Sequence, residues 1–297
     1  MKKINCPVCN KTDFEFIFKG VEENIEYQYV ICKECGLVFI NPRMSEEEYK
    51  QFYQKNYDDS FLDKQFEIDY KRGKNFILYL EFNKVKLKGK TILDIGCNSG
   101  GILKAFQDHG CQVTGVDYNK EAVAYGTKKG LDLKTREVDI TKQYDIILLI
   151  HTIEHMLDPE RSLKRISKVL LKDNGVLFIQ TPGILNLKSE GYNLNVNMGL
   201  GHVFYFSFTT LENFLIKAGF SLLKADEGIN VIAVNEKRQI KGYVSDYTNI
   251  KAIIEKAKNY KPQEHRRKLL VFAANIAKRI APKTFYKLRK RYLEKLW

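Results

Sequence analysis

The chain has 297 residues, of which 44% are hydrophobic and 29% are charged, a composition typical of a globular protein with one sizeable core and a smaller module. No apolar run reaches the roughly 18–20 residues that cross a bilayer, and the N-terminal stretch MKKINCPVC lacks the apolar region of a signal peptide, so we expect a cytoplasmic protein. The net charge of +13 is concentrated in residues 261–297, which contribute +10 and leave a nearly neutral body, unlike a nucleic-acid-binding core.

Two CxxC pairs stand near the N-terminus, separated by 22 residues. Four thiolates with this spacing predict a tetrahedral zinc site whose closed shell gives it a structural role. Four unrelated thiols or two disulfides are the alternatives, which a reducing compartment disfavours. The stretches FEFIF and IEYQYVI between the pairs predict two short strands, so residues 1–44 are predicted to form a zinc ribbon. The predicted zinc ligands are Cys6, Cys9, Cys32 and Cys35.

Residues 45–85 have a helical pattern and are predicted to link the ribbon to the main domain. Ser45 is suited to cap a helix, and the acidic residues that follow it favour the positive end of a helix dipole.

Strand-like and helix-like stretches alternate from residue 86 to residue 236. TILDIG, QVTGVDY, LKTREVD, YDIILLIH and GVLFIQTP are rich in β-branched residues, and amphipathic stretches separate them. This alternation predicts an α/β fold with a doubly wound, mainly parallel sheet. In such sheets the ligand lies beyond the carboxyl ends of the strands.

The first of these strands ends in a turn with the sequence LDIGCNSGG, and the second ends at Asp117. Gly96 and Gly100 permit close approach of the backbone to a ligand. A carboxylate at Asp117 suits a ribose diol. These features fit a dinucleotide site equally well, although G-x-x-x-G-G differs from the usual G-x-G-x-x-G.

The successive motifs LDIGCNSGG, GVDYN, VDI, YDIILLIHTIEHMLDP and GVLFIQTPG resemble those of class I S-adenosylmethionine-dependent methyltransferases. The N-terminal module leading into GLVFINPRMSEEEYKQFYQKNYDD, and the later segment GHVFYFSFTTLENFLIKAGF, resemble bacterial sugar and natural-product methyltransferases that carry a zinc-binding module. The resemblance implies a Rossmann-like sheet that binds S-adenosylmethionine.

By the same resemblance, each motif position has an expected role at the cofactor. Asn98 departs from the family pattern, but asparagine enters left-handed backbone geometry readily, so we expect it in such a conformation. The implied contacts are Asp94, Gly96, Cys97 and Gly100 at the methionine part, Asp117 at the ribose, Tyr118 and Ile140 on the adenine ring, Asp139 at the adenine amine, and His151 near the sulfonium.

A hydroxyl acceptor needs a general base, and histidine suits neutral pH. We expect His202 first, because the segment after the fifth strand commonly closes over the acceptor in this family. His155 comes second, oriented by Glu154 or Asp158, with a purely structural role as its alternative. Tyr205 is a predicted substrate contact. The HTIEH spacing differs from HExxH, so a zinc hydrolase is not expected.

The expected acceptor is a small hydroxylated molecule, and the resemblance favours a sugar of a nucleotide- or lipid-linked glycan. Oxygen methylation is favoured over carbon methylation, because the related carbon-methylating enzymes usually have a further C-terminal domain. The alternatives are an RNA methyltransferase and a non-catalytic interaction protein on a methyltransferase fold. IHTIEH lacks the Asn/Asp-Pro-Pro-aromatic signature of exocyclic-amine methylation.

Residues 237–297 are predicted to form a basic, helical tail, and residues 266–297 within it have apolar stripes opposite basic faces. Such helices can lie on an anionic membrane surface, here the inner face of the membrane. Packing on this domain or on a partner protomer, and binding of RNA, are the alternatives.

Overall fold

A computed structural model describes residues 1–53, 59–135, 142–185, 187, 194, 198–226, 229–236 and 242–259. The predicted cofactor contacts Asp139 and Ile140, and the predicted membrane-binding residues 266–297, lie outside these ranges. Within the ranges, no helix has both the length and the apolarity needed to cross a bilayer.

The strands are β1 (Phe14–Glu22), β2 (Ile25–Cys32), β3 (Val38–Ile40), β4 (Thr91–Ile95), β5 (Gln112–Val116), β6 (Leu133–Lys134), β7 (Tyr144–Ile150), β8 (Leu171–Gln180), β9 (Phe204–Tyr205), β10 (Phe220–Ala225) and β11 (Asn230–Asn235). The helices are α1 (Glu46–Tyr53), α2 (Asp59–Phe82), α3 (Gly101–Asp108), α4 (Lys120–Lys128), α5 (Pro159–Arg165), α6 (Phe208–Lys217) and α7 (Tyr247–Lys258). A 3-10 turn covers Ile153–His155, and a π-helical turn covers Ile166–Leu170.

The larger sheet has the strand order β10-β11-β8-β7-β4-β5-β6. The pairs from β8 to β6 are parallel, and β11 runs antiparallel to both of its neighbours. Both faces are covered, because Ile147 lies in one apolar cluster and the adjacent Leu148 lies in the other. This two-sided burial explains the uninterrupted apolar run in β7, and the predicted α/β class is confirmed.

The turn-forming sequence Asp173-Asn174-Gly175 lies inside the bounds of β8. Tyr144 of β7 pairs with Leu171, and regular pairing resumes at Ile146 and Val176. Asn174 has a left-handed φ of 58° at this irregularity. The extra residues bulge out of the ladder, and the strand continues beyond them.

The smaller sheet has the order β1-β2-β3-β9 and is antiparallel throughout. Its fourth strand comes from the segment between β8 and α6, with Val38 opposite Tyr205 and Phe39 opposite Phe204. The backbone N–H of Ile40 also donates to the carbonyl of Val203 at 3.0 Å. The ribbon and the larger domain are therefore joined by main-chain hydrogen bonds.

Helix α7 also packs on the ribbon. Ile250, Ile253 and Ile254 are buried in one cluster with Tyr29 of β2. The Tyr247 hydroxyl donates to Glu15 Oε2 at 2.7 Å. The described residues from 242 to 259 are thus part of the N-terminal module in space.

We expect Ile250→Ala to lower the free energy of unfolding by about 2–5 kcal/mol, because the side chain is fully buried and its removal leaves a cavity. Urea titration followed by circular dichroism measures the change. Lys256→Ala, on the exposed face of the same helix, is the matched control. Equal stabilities of the two variants would contradict the packing of α7 on the ribbon.

Candidate functional site

The turn between β4 and α3 is left-handed at three positions. Asn98 has a φ of 50°, Gly96 of 83° and Gly100 of 80°, so the conformation predicted for Asn98 is confirmed. A Cβ atom at Gly96 would lie 2.5 Å from the Thr152 hydroxyl. The turn therefore packs directly against the residues that follow β7, and only glycine leaves room for that contact.

The carboxylate of Asp117 joins this turn to the end of β5. Its Oδ2 accepts a hydrogen bond from the Asn98 N–H at 2.8 Å, and its Oδ1 accepts one from the Asn119 N–H at 2.8 Å. Each carboxylate oxygen has a further lone pair for a ligand hydroxyl. Tyr118, next to it, is an exposed side chain with 84% of its surface accessible.

Asp94 is buried at the end of β4, and its Oδ1 accepts no hydrogen bond from the described residues. Burial, followed by the charges of Asp117 and Asp69, raises the pKa of Asp94 well above its ordinary value. A buried carboxylate next to other carboxylates is stabilised by a cation. The neighbouring Cys97 thiol is enclosed, and its pKa is raised mainly by burial.

Unsatisfied polar atoms gather at one edge of the larger sheet. Among the described residues, seven buried side-chain N or O atoms have no hydrogen-bond partner, and a native fold contains few such atoms because each costs about 1–3 kcal/mol. Six of the seven lie at or just after the carboxyl ends of β4, β7 and β8, where a ligand can satisfy them. These six are Asp94 Oδ1, Asn98 Oδ1, Ser99 Oγ, Glu154 Oε1, Glu154 Oε2 and Thr181 Oγ1.

A second group, here named the histidine–glutamate cluster, consists of His151, Glu154, His155 and His202. Glu154 is fully buried in the 3-10 turn after β7, with Oε1 lying 3.4 Å from His151 Nδ1 and 3.9 Å from His155 Nε2. The rings of His155 and His202 are in edge contact, with centroids 4.9 Å apart. Three histidines thus surround one buried carboxylate.

The electrostatics of this cluster are set by burial and by its own members. Burial raises the pKa of Glu154, but His151 and His155 outweigh it and hold that pKa below its ordinary value. Burial, together with the nearby His155, lowers the pKa of His202 to about 4. His202 is therefore a neutral imidazole at pH 7.

Of the two acids considered as partners of His155, only Glu154 lies beside it. Asp158 instead caps α5 by accepting from the Arg161 N–H at 3.0 Å. His155 Nδ1 bonds the carbonyl of Gly201 at 2.7 Å. A carbonyl can only accept, so Nδ1 carries the proton of the neutral ring, and Nε2 carries the lone pair.

The ribbon holds the segment that carries His202, an arrangement that sequence reasoning missed. The Tyr29 hydroxyl contacts the carbonyls of Gly199 and His202, and the N–H of Leu200 donates to Glu22 Oε2 at 2.8 Å. The alternating aromatics of IEYQYVI were the available signal, but they indicated only a strand. Tyr205 is buried, and its hydroxyl lies 2.9 Å from His202 Nδ1.

The four N-terminal cysteines lie together as predicted. Their sulfur atoms are all within 4.8 Å of one another, and the Cys6–Cys35 and Cys9–Cys32 pairs are each 3.4 Å apart. Sulfur atoms bound tetrahedrally at about 2.3 Å to zinc lie about 3.8 Å apart. The thiol arrangement therefore suits zinc, with only small side-chain shifts.

The structure brings the predicted residues together in two adjoining groups. Asp94, Gly96, Asn98 and Asp117 form the first group, beyond β4 and β5, and the histidine–glutamate cluster forms the second. Their individual roles remain predictions.

The sequence profile of the methyltransferase domain family matches residues 68–225 of this chain. A ubiquinone biosynthesis O-methyltransferase from Coxiella burnetii is 30% identical over 136 residues, covering 42% of this chain and 56% of that protein. A probable (S)-tetrahydroprotoberberine N-methyltransferase 2 from Papaver bracteatum is 36% identical over 114 residues, covering 34% of this chain and 31% of that protein. The chain thus spans about half the length of the Coxiella protein and about a third of the length of the Papaver protein.

Among solved structures, similarity is found to a magnesium protoporphyrin IX methyltransferase from Synechocystis PCC 6803 with bound SAH. That similarity has a TM-score of 0.43 and 15% identity, and covers 63% of this chain and 92% of the other.

We expect Asp94→Asn to raise the free energy of unfolding at pH 8, because the amide removes the cost of burying a carboxylate beside Asp117 and Asp69. A pKa raised above the ordinary 3.8 means that the folded chain binds the proton more tightly. The wild-type stability therefore falls as pH rises through the raised pKa. The gain from Asp94→Asn should shrink on acidification. Urea titrations at several pH values test this, with exposed Asp132→Asn as control; a pH-independent difference would contradict it.

Proposed function

This chain belongs to the methyltransferase domain family, and we propose that it transfers the methyl group of S-adenosylmethionine to a hydroxyl of a small acceptor. The named activity of the Coxiella relative supports oxygen methylation. For the acceptor we propose a sugar of a nucleotide- or lipid-linked glycan, on the resemblance of the N-terminal module to those of sugar methyltransferases.

The gathering of unsatisfied buried atoms at the carboxyl edge of the sheet carries the proposal. When bound, S-adenosylmethionine supplies an electrophilic methyl group on a positively charged sulfur. Asp94 and Asp117 attract a cationic ligand to this edge, and both lie where its methionine and ribose parts are expected. Gly96 and Gly100 allow the turn its left-handed conformation and its close packing against Thr152 and Leu131, which positions the turn at this edge. Tyr118 offers an exposed ring for the adenine.

The histidine–glutamate cluster is proposed to activate the acceptor hydroxyl. His155 is the better proton acceptor, because Nε2 carries its lone pair and Glu154 stabilises the resulting imidazolium. His202 is a weaker base, since its pKa is about 4, and we assign it the binding of the acceptor. The sequence favoured His202 over His155 as the general base, and the present proposal reverses that preference. Tyr205 contributes to acceptor binding by orienting the His202 ring.

Zinc bound by the four cysteines is proposed to stabilise the histidine–glutamate cluster indirectly, without contacting it. Cys32 ends β2, and β3 follows three residues after Cys35. A metal clamp at this point fixes the strand that pairs with β9. Its contribution is thus to the position of the His202 segment, while the closed thiolate shell takes no part in the chemistry.

We further propose that the enzyme works in the cytoplasm and that residues 266–297, outside the described ranges, contact the anionic inner face of the membrane. The basic charge of that segment supports this proposal.

We expect Asp117→Ala to weaken binding of S-adenosylmethionine by about 10- to 100-fold, as the loss of charge-assisted hydrogen bonds worth about 1.5–3 kcal/mol implies. Isothermal titration calorimetry measures this, and circular dichroism checks that the fold is retained. Exposed Asp132→Ala should bind as the wild type does. Absence of binding to the wild-type chain would refute the enzyme proposal and favour a non-catalytic protein on this fold.

Incubation with labelled methyl donor and a panel of nucleotide sugars, lipid-linked glycans and RNA tests the acceptor class. We expect label in a sugar hydroxyl, and a 10²- to 10⁴-fold lower kcat for His155→Ala, the range attributed to general-base catalysis. His109→Ala, which removes a surface histidine bonded to Glu81, is the control. Labelling of RNA alone, with steep salt dependence, would instead identify an RNA methyltransferase.

A further inference from the structure

We propose that Glu154, His155 and His202 bind a divalent first-row transition-metal ion at the acceptor side of the site. Each residue offers one ligand atom, and the three atoms lie within 4.8 Å of one another. Atoms bound tetrahedrally to one ion at about 2.0–2.2 Å lie about 3.3–3.6 Å apart. The three ligand atoms therefore need to move closer together by side-chain rotation to complete the coordination.

The carboxylate of Glu154 is the strongest sign of a missing ligand. The side chain is fully buried, and both oxygens lack a hydrogen bond within the described part of the chain. An anion in this position requires a cation. The two nearest imidazole nitrogens are 3.4 and 3.9 Å from Oε1, beyond good hydrogen-bond distance. A shared ion brings the carboxylate and the imidazoles into direct coordination.

The histidines are already oriented as metal ligands usually are. A ligating imidazole donates its second N–H to an outer partner, which fixes the ring. His155 does so through Nδ1 to the Gly201 carbonyl at 2.7 Å, which leaves Nε2 toward Glu154. His202 Nδ1 is bonded to the Tyr205 hydroxyl at 2.9 Å, which fixes this ring in the same way.

Two independent parts of the fold supply the ligands. Glu154 and His155 lie in the 3-10 turn after β7, and the ribbon fixes the His202 segment through Tyr29 and β3. The separation of the ligand atoms is therefore set by packing of the two domains. Such preorganisation lowers the cost of assembling a site.

The ligand chemistry identifies the class of ion. Two imidazoles and one carboxylate suit manganese, iron, cobalt or zinc, whereas calcium and magnesium prefer all-oxygen shells. Three protein ligands leave coordination positions open, as in catalytic rather than structural sites.

The catalytic part of this inference rests on the proposed function. A hydroxyl of the acceptor that coordinates the ion loses its proton to solvent, because the ion lowers its pKa. The alkoxide oxygen then forms the bond to the methyl carbon as the carbon–sulfur bond breaks. In the ion-bound protein His155 is thus a ligand, and the ion replaces it as the activator.

The test uses the full chain with zinc already bound at the cysteines, titrated with Mn²⁺ and followed by the electron paramagnetic resonance of the free ion. Thiolates bind Mn²⁺ poorly, so the ribbon does not interfere. We expect one Mn²⁺ per chain, at least 10-fold weaker binding in Glu154→Gln and in His202→Ala, and unchanged binding in His109→Ala. Equilibrium dialysis against Zn²⁺ should give two zinc ions per chain in the wild type and one in Glu154→Gln.

Absence of a second ion with both metals, or equal binding by wild type and Glu154→Gln with retained fold, would overturn the site. Because neither donor nor acceptor is present in the titration, its result is independent of the proposed function. If the metal binds but no methyl transfer is found, the proposed function is refuted and the metal site still stands. If turnover is unchanged after removal of only the ion at Glu154, His155 and His202, the ion does not activate the acceptor hydroxyl. That result would overturn the catalytic part of the inference and leave His155 as the general base.

Discussion

The pairing of β3 with β9 is the contact on which the candidate site depends. It makes the strand next to His202 part of the ribbon sheet, and the tyrosine hydroxyls of β2 hold the carbonyls just before that strand. The N-terminal module therefore forms part of the candidate site rather than a separate appendage. The three histidines and Glu154 meet only because one part of the cluster belongs to the larger sheet and the other is held by the smaller one.

Two buried acidic side chains lie at one edge of the larger sheet, and Thr152 connects the two segments that carry them. Its hydroxyl donates to the carbonyl of Ile95 at 2.9 Å, directly before the Gly96 turn. Asp94 lies on one side of this contact and Glu154 on the other. Both carboxylates are held away from water, which costs folding free energy unless a cation compensates. The fold thus retains two buried carboxyl groups at this edge, each next to its own set of charged neighbours, Asp117 and Asp69 for Asp94 and the histidines for Glu154.

Much of the larger domain could be predicted from sequence, because strand and helix periodicities are local signals. The strand ends identified Asp94 and Asp117, the family match confirms the predicted methyltransferase, and the left-handed Asn98 followed from its position in the turn. The acceptor side could not be predicted in the same way. His155 and its partner Gly201 are 46 positions apart, and β9 has only two residues. Its pairing with β3, and the packing of α7 on the ribbon, depend on tertiary contacts that no local pattern contains. HTIEH differs from HExxH, and a local comparison of this kind cannot reveal the contact between His155 and the distant His202.

The connectivity of the smaller sheet has a consequence for synthesis on the ribosome. The cysteines emerge first, yet β9 and α7, which complete the sheet and its core, emerge only after the whole parallel part of the larger sheet. Until then β3 has an open edge, and the tyrosines of β2 lack their carbonyl partners. Contacts so distant in the chain form late. The nascent N-terminal module therefore exposes a hydrophobic, unpaired strand edge until most of the chain has been synthesised.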